Sequence, residues 1–251
     1  MEQNPTYFKL PAAAYVRGEA MRAQKNSDLI RSLDAKIHSR LFSLPKTLLE
    51  SPLRELDENE IETILQAGKQ AGLKLYRFKN THTELPRIKH VLGFLCSIQP
   101  ESLLDVGSGR GAFLWPCLNQ FPQLEMTSID LLAHRVEFLQ TVTLGGLENL
   151  HALQANICTL EEPDSLYDIV TLLEVLEHIP NVKEAVRRAV CASRRYVVVT
   201  VPSKWDNNPE HIHLLTSEKL TELFKEAGCS RLHIDGVPGH LIMIASKEKT
   251  I

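Results

Sequence analysis

Two acids and a glycine-rich turn are the first residues in this sequence whose types and spacing imply chemistry. In Leu103-Leu104-Asp105-Val106-Gly107-Ser108-Gly109-Arg110-Gly111-Ala112-Phe113 an apolar run reaches a glycine turn and passes into helix-type sequence. Glycines let a ligand approach the backbone and tolerate positive φ, while the N-terminus of the following helix offers unpaired N–H groups. Gly107-x-Gly109-x-x-Ala112 also fits the dinucleotide fingerprint, so the loop by itself leaves the cofactor open. Asp105 narrows the choice, because a carboxylate two residues before the first glycine suits the cationic amino group of a methionine moiety and repels a pyrophosphate. Asp130 ends the next apolar run, about 20 residues beyond the loop, where it can bind ribose hydroxyls in either case. The plain structural account makes Asp105 a loop cap and Asp130 a turn residue.

A second constellation is Glu174, Glu177 and His178, followed downstream by Pro209-Glu210-His211-Ile212-His213. Glu174 should close a strand at the cofactor crevice, with Glu177 and His178 one helical turn on. Glu174, Glu177, His178 and His213 form an acceptable ligand set for Mg²⁺ or Mn²⁺, which would bind a substrate hydroxyl and lower its pKa. Without a metal, His178 and His213 are the candidate bases, with Glu174 beside them. The structural alternative has Glu177 capping a helix and His178 making a structural hydrogen bond. In the loop from Val201 to His211, Trp205 can stack on a substrate ring and Lys204 can meet a phosphate. Arg87 belongs to a basic run from Arg77 to His90 that is a candidate substrate entrance, although a solvated helix face produces the same pattern.

These residues need a scaffold. After Pro100 the sequence alternates short apolar runs with helix-type segments, the signature of a parallel sheet covered on both faces. Strands are predicted at Ser102–Val106, Glu125–Asp130, His151–Gln154, Tyr167–Leu173, Tyr196–Val201, Arg231–Asp235 and His240–Ala245. Helices are predicted at Phe113–Asn119, His134–Thr143, Val182–Ser193 and Ser217–Ala227. The last two strands are too close for a crossover helix and must form an antiparallel hairpin. From Ala12 to about Ile98 the spacing is helical, as in Ser27–Ile37, and Asp57 can cap a helix beginning at Glu58. The division predicted is a helical N-terminal extension over residues 1–98 and a cofactor-binding domain over 99–251.

From about Ser102 to Ser246 the chain resembles a class I S-adenosylmethionine-dependent methyltransferase. The resemblance rests on the glycine loop, Asp130, Asp168-Ile169-Val170-Thr171, the string Glu174-Val175-Leu176-Glu177-His178-Ile179-Pro180 and the closing hairpin. It implies an α/β, doubly wound, Rossmann-like seven-stranded sheet. It also implies S-adenosylmethionine as cofactor, held by Asp105, Gly107, Ser108, Gly109, Gly111, Asp130, Leu131, Asn156, Ile157 and Glu174. Asn156 stands where the family usually has an aspartate facing the adenine; an amide can both donate to and accept from the base. The E-x-x-E-H pattern with a downstream histidine is similar to two O-methyltransferase branches that can hold a metal there, one acting on the 3′-terminal ribose of small RNAs and one on phenolic quinone precursors. The substrate implied is a hydroxyl of an RNA or a small molecule. A nicotinamide-dependent oxidoreductase and a non-catalytic cofactor-binding scaffold are the rivals; Asp105 and the hairpin oppose the first, and the Glu/His set opposes the second.

Composition agrees with a folded protein, with 43% hydrophobic and 24% charged residues. No apolar run approaches the roughly 18–20 residues that span a bilayer, no segment has signal-peptide character, and the five scattered cysteines form no CxxC pair. The expectation is a cytoplasmic protein with no membrane contact. Charge is uneven: residues 1–100 carry 15 Lys+Arg against 11 Asp+Glu, and residues 101–251 carry 13 against 20. A mildly basic arm on an acidic domain permits an anionic substrate.

Overall fold

The computed structural model describes residues 8–25, 44–79, 84–161 and 166–247. The helical stretch expected at Ser27–Ile37 lies outside them. Seven strands form one sheet: β1 (Ser102–Val106), β2 (Glu125–Asp130), β3 (Leu150–Gln154), β4 (Tyr167–Leu173), β5 (Ser193–Pro202), β6 (Cys229–Val237) and β7 (His240–Lys247). Their order is β3-β2-β1-β4-β5-β7-β6. The first five are parallel, while β7 runs antiparallel to both β5 and β6. The strands are thus those predicted, with β5 beginning three residues earlier, β6 extending two residues at each end and β7 ending two residues later.

Eight helices accompany the sheet among the described residues: α1 (Lys9–Lys25), α2 (Lys46–Glu50), α3 (Glu58–Gln70), α4 (Pro86–Ile98), α5 (Leu114–Gln120), α6 (Ala133–Leu144), α7 (Val182–Ala192) and α8 (Ser217–Glu226). Local sequence explains where several begin. Asp57 accepts from the Asn59 and Glu60 N–H groups while Glu60 reaches back to the Asp57 N–H, a complete capping box. Asn181 and Thr216 cap α7 and α8 with their side chains.

Chain order reverses around β1, which has β2 on one side and β4 on the other, so the carboxyl ends of β1 and β4 open a crevice at the switch point of the sheet. One apolar cluster covers the side of the sheet nearest the N-terminal helices. It runs from Phe8 through α1, α3 and α4 to Leu103, Trp115, Met126 and Val198, so the N-terminal helices and the sheet share a core. Phe78 lies 4.9 Å from Trp115 and 5.6 Å from Phe138, ring centre to ring centre. The second cluster packs α7 and α8 on the other face.

Small residues bring α1 against α6. A Cβ at Gly145 would stand 1.7 Å from the Ala14 carbonyl oxygen, although the Gly145 φ of −78° suits alanine. The contact, rather than the backbone conformation, demands glycine. Gly145→Ala is therefore expected to destabilise the fold by about 1–3 kcal/mol through overpacking. Urea denaturation would measure this, and an unchanged midpoint would mean that α1 does not seat as described.

Candidate functional site

Residues from four strand ends and the loops that follow them line a cavity of about 810 Å³. The glycine turn forms its base. The Gly107 N–H donates to the Ile129 carbonyl at 2.7 Å, tying the turn to β2. Its φ is +70°, and an added Cβ would lie 2.9 Å from the Val175 side chain, so backbone conformation and close approach both require glycine there. Gly111, predicted to touch cofactor, lies outside the lining; a Cβ on it would meet the Trp115 indole nitrogen at 2.1 Å, which makes it a packing residue.

Asp105 is only 2% exposed. Its carboxylate accepts from Ser108 Oγ at 2.5 Å and from Thr171 Oγ1 at 2.7 Å, locking the glycine turn and β4 to β1. Burial pushes its carboxyl up to about 6, against the hydrogen bonds from Ser108 and Thr171. Both oxygens thus have partners within the protein. Asp130, at the end of β2, accepts from the Leu132 N–H at 2.9 Å and from Arg135 Nη1 at 3.3 Å. Asn156 turns its side-chain oxygen to the Cys158 N–H at 2.9 Å. Gly107, Ser108, Gly109, Leu131, Asn156 and Ile157 all border the cavity together with Asp105 and Asp130.

At the opposite wall, Glu174 follows β4 in the left-handed region, with φ 59°. Thr200 Oγ1 donates to its Oε1 at 2.7 Å, His240 Nε2 lies 3.0 Å from its Oε2, and Arg87 Nε stands 4.0 Å from Oε1. Arg87 also borders the cavity, and its Nε is buried without a hydrogen-bond partner. The next turn, Leu176–His178, carries Glu177, which is 1% exposed and has no hydrogen-bond partner on either carboxylate oxygen. Burial, with Glu174 and Asp206 nearby, pushes its carboxyl up to about 8.

Ligand atoms of Glu177, His178 and His211 lie within 4.8 Å of one another. The Nδ1 atoms of both imidazoles are occupied elsewhere: that of His178 meets the Glu210 carbonyl at 2.9 Å, and that of His211 meets Asp206 Oδ1 at 2.9 Å. This leaves each Nε2 available to the cluster. The geometry therefore sorts the sequence-based set differently. His213 directs Nε2 to the Ile179 carbonyl at 3.0 Å, and Glu174 is held by Thr200 and His240, so His211 joins Glu177 and His178. Sequence could not choose between histidines two positions apart; the loop path does, through the Ile212 N–H bonded to the Glu177 carbonyl at 2.9 Å. His240 was missed because its partner Glu174 is remote in sequence, and Asp206 because nothing in its spacing marks it as the partner of His211 on the same loop. Lys204 and Trp205 stand on the loop after β5, outside the cavity lining, with Trp205 60% exposed.

Residues 77–234 match a family model described as a methyltransferase domain. A stretch of 143 residues is 29% identical to the ubiquinone biosynthesis O-methyltransferase of Rickettsia felis, covering 55% of this chain and 57% of that protein. The chain thus spans little more than half the length of that relative. An O-methyltransferase family protein from Burkholderia thailandensis matches 95% of this chain and 72% of its own, with TM-score 0.56 and 13% identity. Magnesium protoporphyrin IX methyltransferase from Synechocystis PCC 6803, solved with bound SAM, matches 64% of this chain and 78% of its own, with TM-score 0.52 and 16% identity. At those identities the structural likeness shows the fold.

Proposed function

The chain belongs to the methyltransferase domain family, and from that membership we propose that it transfers the methyl group of S-adenosylmethionine to a hydroxyl oxygen of an RNA or small-molecule substrate. One observation carries the reading: a single cavity joins the glycine turn and Asp130 to Glu174 and His178. The hydroxyl oxygen attacks the methyl carbon, the carbon–sulfur bond breaks, S-adenosylhomocysteine leaves and the hydroxyl proton is lost. The sulfonium is already reactive, so the protein chiefly aligns oxygen, carbon and sulfur and excludes water.

Asp130 serves the ribose hydroxyls and Asn156 the adenine. Arg87, placed with the substrate from sequence, is better matched to the cofactor's α-carboxylate, since the residue borders the same cavity and its Nε has no hydrogen-bond partner. Glu177, His178 and His211 fit a divalent cation: the two carboxylate oxygens are buried without partners, and two imidazoles have their Nδ1 atoms already oriented. A bound Mg²⁺ or Mn²⁺ would lower the pKa of the acceptor hydroxyl. In its absence the free Nε2 of His178, at the cavity wall, is placed to take the hydroxyl proton.

Differential scanning calorimetry tests the cofactor. S-adenosylhomocysteine should raise the melting temperature, NAD should not, and Asp130→Ala should remove most of the shift. Equal stabilisation by NAD would refute the assignment. Incorporation of radiolabelled methyl into a fractionated lysate would then distinguish RNA from small-molecule acceptors.

Among the described residues no helix is long and apolar enough to cross a membrane. The five cysteines are all free thiols, and burial pushes those of Cys117 and Cys229 up. A reducing compartment, the cytoplasm, is the proposed location.

A further inference from the structure

We propose that β6 pairs edge to edge with β6 of a second copy of this chain, antiparallel and centred on His233, so that two seven-stranded sheets become one. Among the described residues β6 is the last strand of the sheet, with β7 on one side only. It is nine residues long, against five for β3 at the opposite edge. The two-residue turn that follows makes Val237 and His240 a hydrogen-bonded pair. Such pairs recur at every second residue, so Asp235, His233 and Arg231 also bond to β7, while Leu232, Ile234 and Gly236 turn their N–H and C=O groups outward. The Gly236 N–H donates to Asp235 Oδ1 at 2.8 Å, and a bulge lies between Cys229 and Arg231. The stretch open to pairing is therefore Arg231–Asp235, with the main-chain groups of Leu232 and Ile234 as its free donors and acceptors.

Charge on an edge strand ordinarily repels a neighbour. On β6 the charges match a second copy instead. Arg231, His233 and Asp235 share one face of the strand and are all exposed, while Leu232 and Ile234 pack toward the apolar cluster under α8. A two-fold axis at His233 sets each Arg231 opposite Asp235 of the other copy, sets Leu232 opposite Ile234, and brings the two His233 residues face to face. Only that centre gives every Arg231 an acid. Arg231 makes no ion pair among the described residues, and the Asp235 side chain is 50% exposed, with His90 Nδ1 at 3.6 Å from its Oδ2. Two Arg–Asp pairs and about four main-chain hydrogen bonds thus join the copies through one self-complementary patch, as two-fold symmetry requires. Direction reverses across the joint, so the two cavities open at opposite ends of the joined sheet, and no residue of β6 lines either one. The pairing is independent of the cofactor assignment.

Sedimentation equilibrium of the full chain, from about 1 to 100 µM, should show a reversible dimer. Arg231→Glu and Asp235→Arg, made singly, set like charges across both pairs, and each should weaken dimerisation about tenfold or more. Together they restore opposite signs, so the double variant should return to within about threefold of the wild type, which a merely misfolded edge could not do. His233→Cys tests the register. Facing residues of a non-hydrogen-bonded antiparallel pair have Cα atoms about 4.5 Å apart, within reach of a disulfide, so mild oxidation should link His233→Cys chains into covalent dimers. Arg231→Cys chains, whose cysteines stand several residues apart, should link no more than the wild type. A wild type that stays monomeric at about 100 µM overturns the proposal, and an edge that takes a strand of some other protein would give that result. A dimer indifferent to Arg231→Glu, a double variant no tighter than the singles, or a His233→Cys protein that fails to cross-link overturns it equally, since each puts the contact elsewhere.

Discussion

Glu177→Gln is expected to stabilise the chelator-treated protein at pH 8 and above, and to abolish its binding of divalent cations. Glu177 is a buried acid whose carboxyl is pushed from its ordinary 4.5 up to about 8, chiefly by desolvation. An acid with a raised folded pKa holds its proton more tightly in the folded than in the unfolded chain. Stability should therefore be greatest below the unfolded value, fall as pH rises from about 4.5 toward 8, and level off above that. The loss should amount to a few kcal/mol, which glutamine avoids because it never ionises. Thermal unfolding between pH 5 and 9, run for both proteins, measures the difference. Parallel curves would show that Glu177 is not buried as an unpartnered acid. Asp105, with its carboxyl pushed up to about 6, adds a smaller fall of the same sign that ends near that value, and Glu177→Gln leaves it in place. The cation arm of the test is independent: a stabilised variant that still binds Mn²⁺ would remove Glu177 from the ligand set.

The second large effect separates the two downstream histidines. His178→Ala and His211→Ala should each lower methyl incorporation by at least about 100-fold, while His213→Ala should cost less than about tenfold. The reason lies in where each ring is aimed. His178 and His211 share one cluster with Glu177, their rings 4.8 Å apart and tilted by 66°, whereas His213 spends its Nε2 on the Ile179 carbonyl. His213→Ala should instead lower stability by about 1 kcal/mol, the net worth of one hydrogen bond. Exhaustive chelation should stop turnover in the wild type, and added Mg²⁺ or Mn²⁺ should restore it. Activity that survives chelation but falls in His178→Ala would make that residue the general base and leave the cluster without a metal. A His213→Ala enzyme as impaired as His211→Ala would return the ligand set to the one expected from spacing.

Much of this molecule is written locally. The cores of β1, β4 and β5 are apolar runs buried on both faces, the caps at Asp57, Asn181 and Thr216 rest on bonds to neighbours no more than three residues away, and a two-residue turn at Pro238-Gly239 permits only an antiparallel hairpin. The glycine turn and Asp130 are equally local, because a tight turn after a buried strand has few solutions and the next strand must end beside it. Sequence by itself therefore determined the order of elements along the chain and the sheet they form.

What only tertiary structure decided is how side chains from separate elements share their partners. Asp105 and Glu174 are both carboxylates at strand ends. The hydroxyls of Ser108 and Thr171 seal the first, while Thr200 from β5 and His240 from β7 hold the second open at the cavity wall. His211 and His213 are indistinguishable by spacing until the loop after β5 bonds to the Glu177 carbonyl and aims one inward. Gly111 reads as a ligand-binding glycine until Trp115 fills the space its side chain would need. In each case the deciding contact joins residues whose separation is set by the packed fold. Local preference carries no information about such a contact, since its free energy exists only once the chain has closed around it.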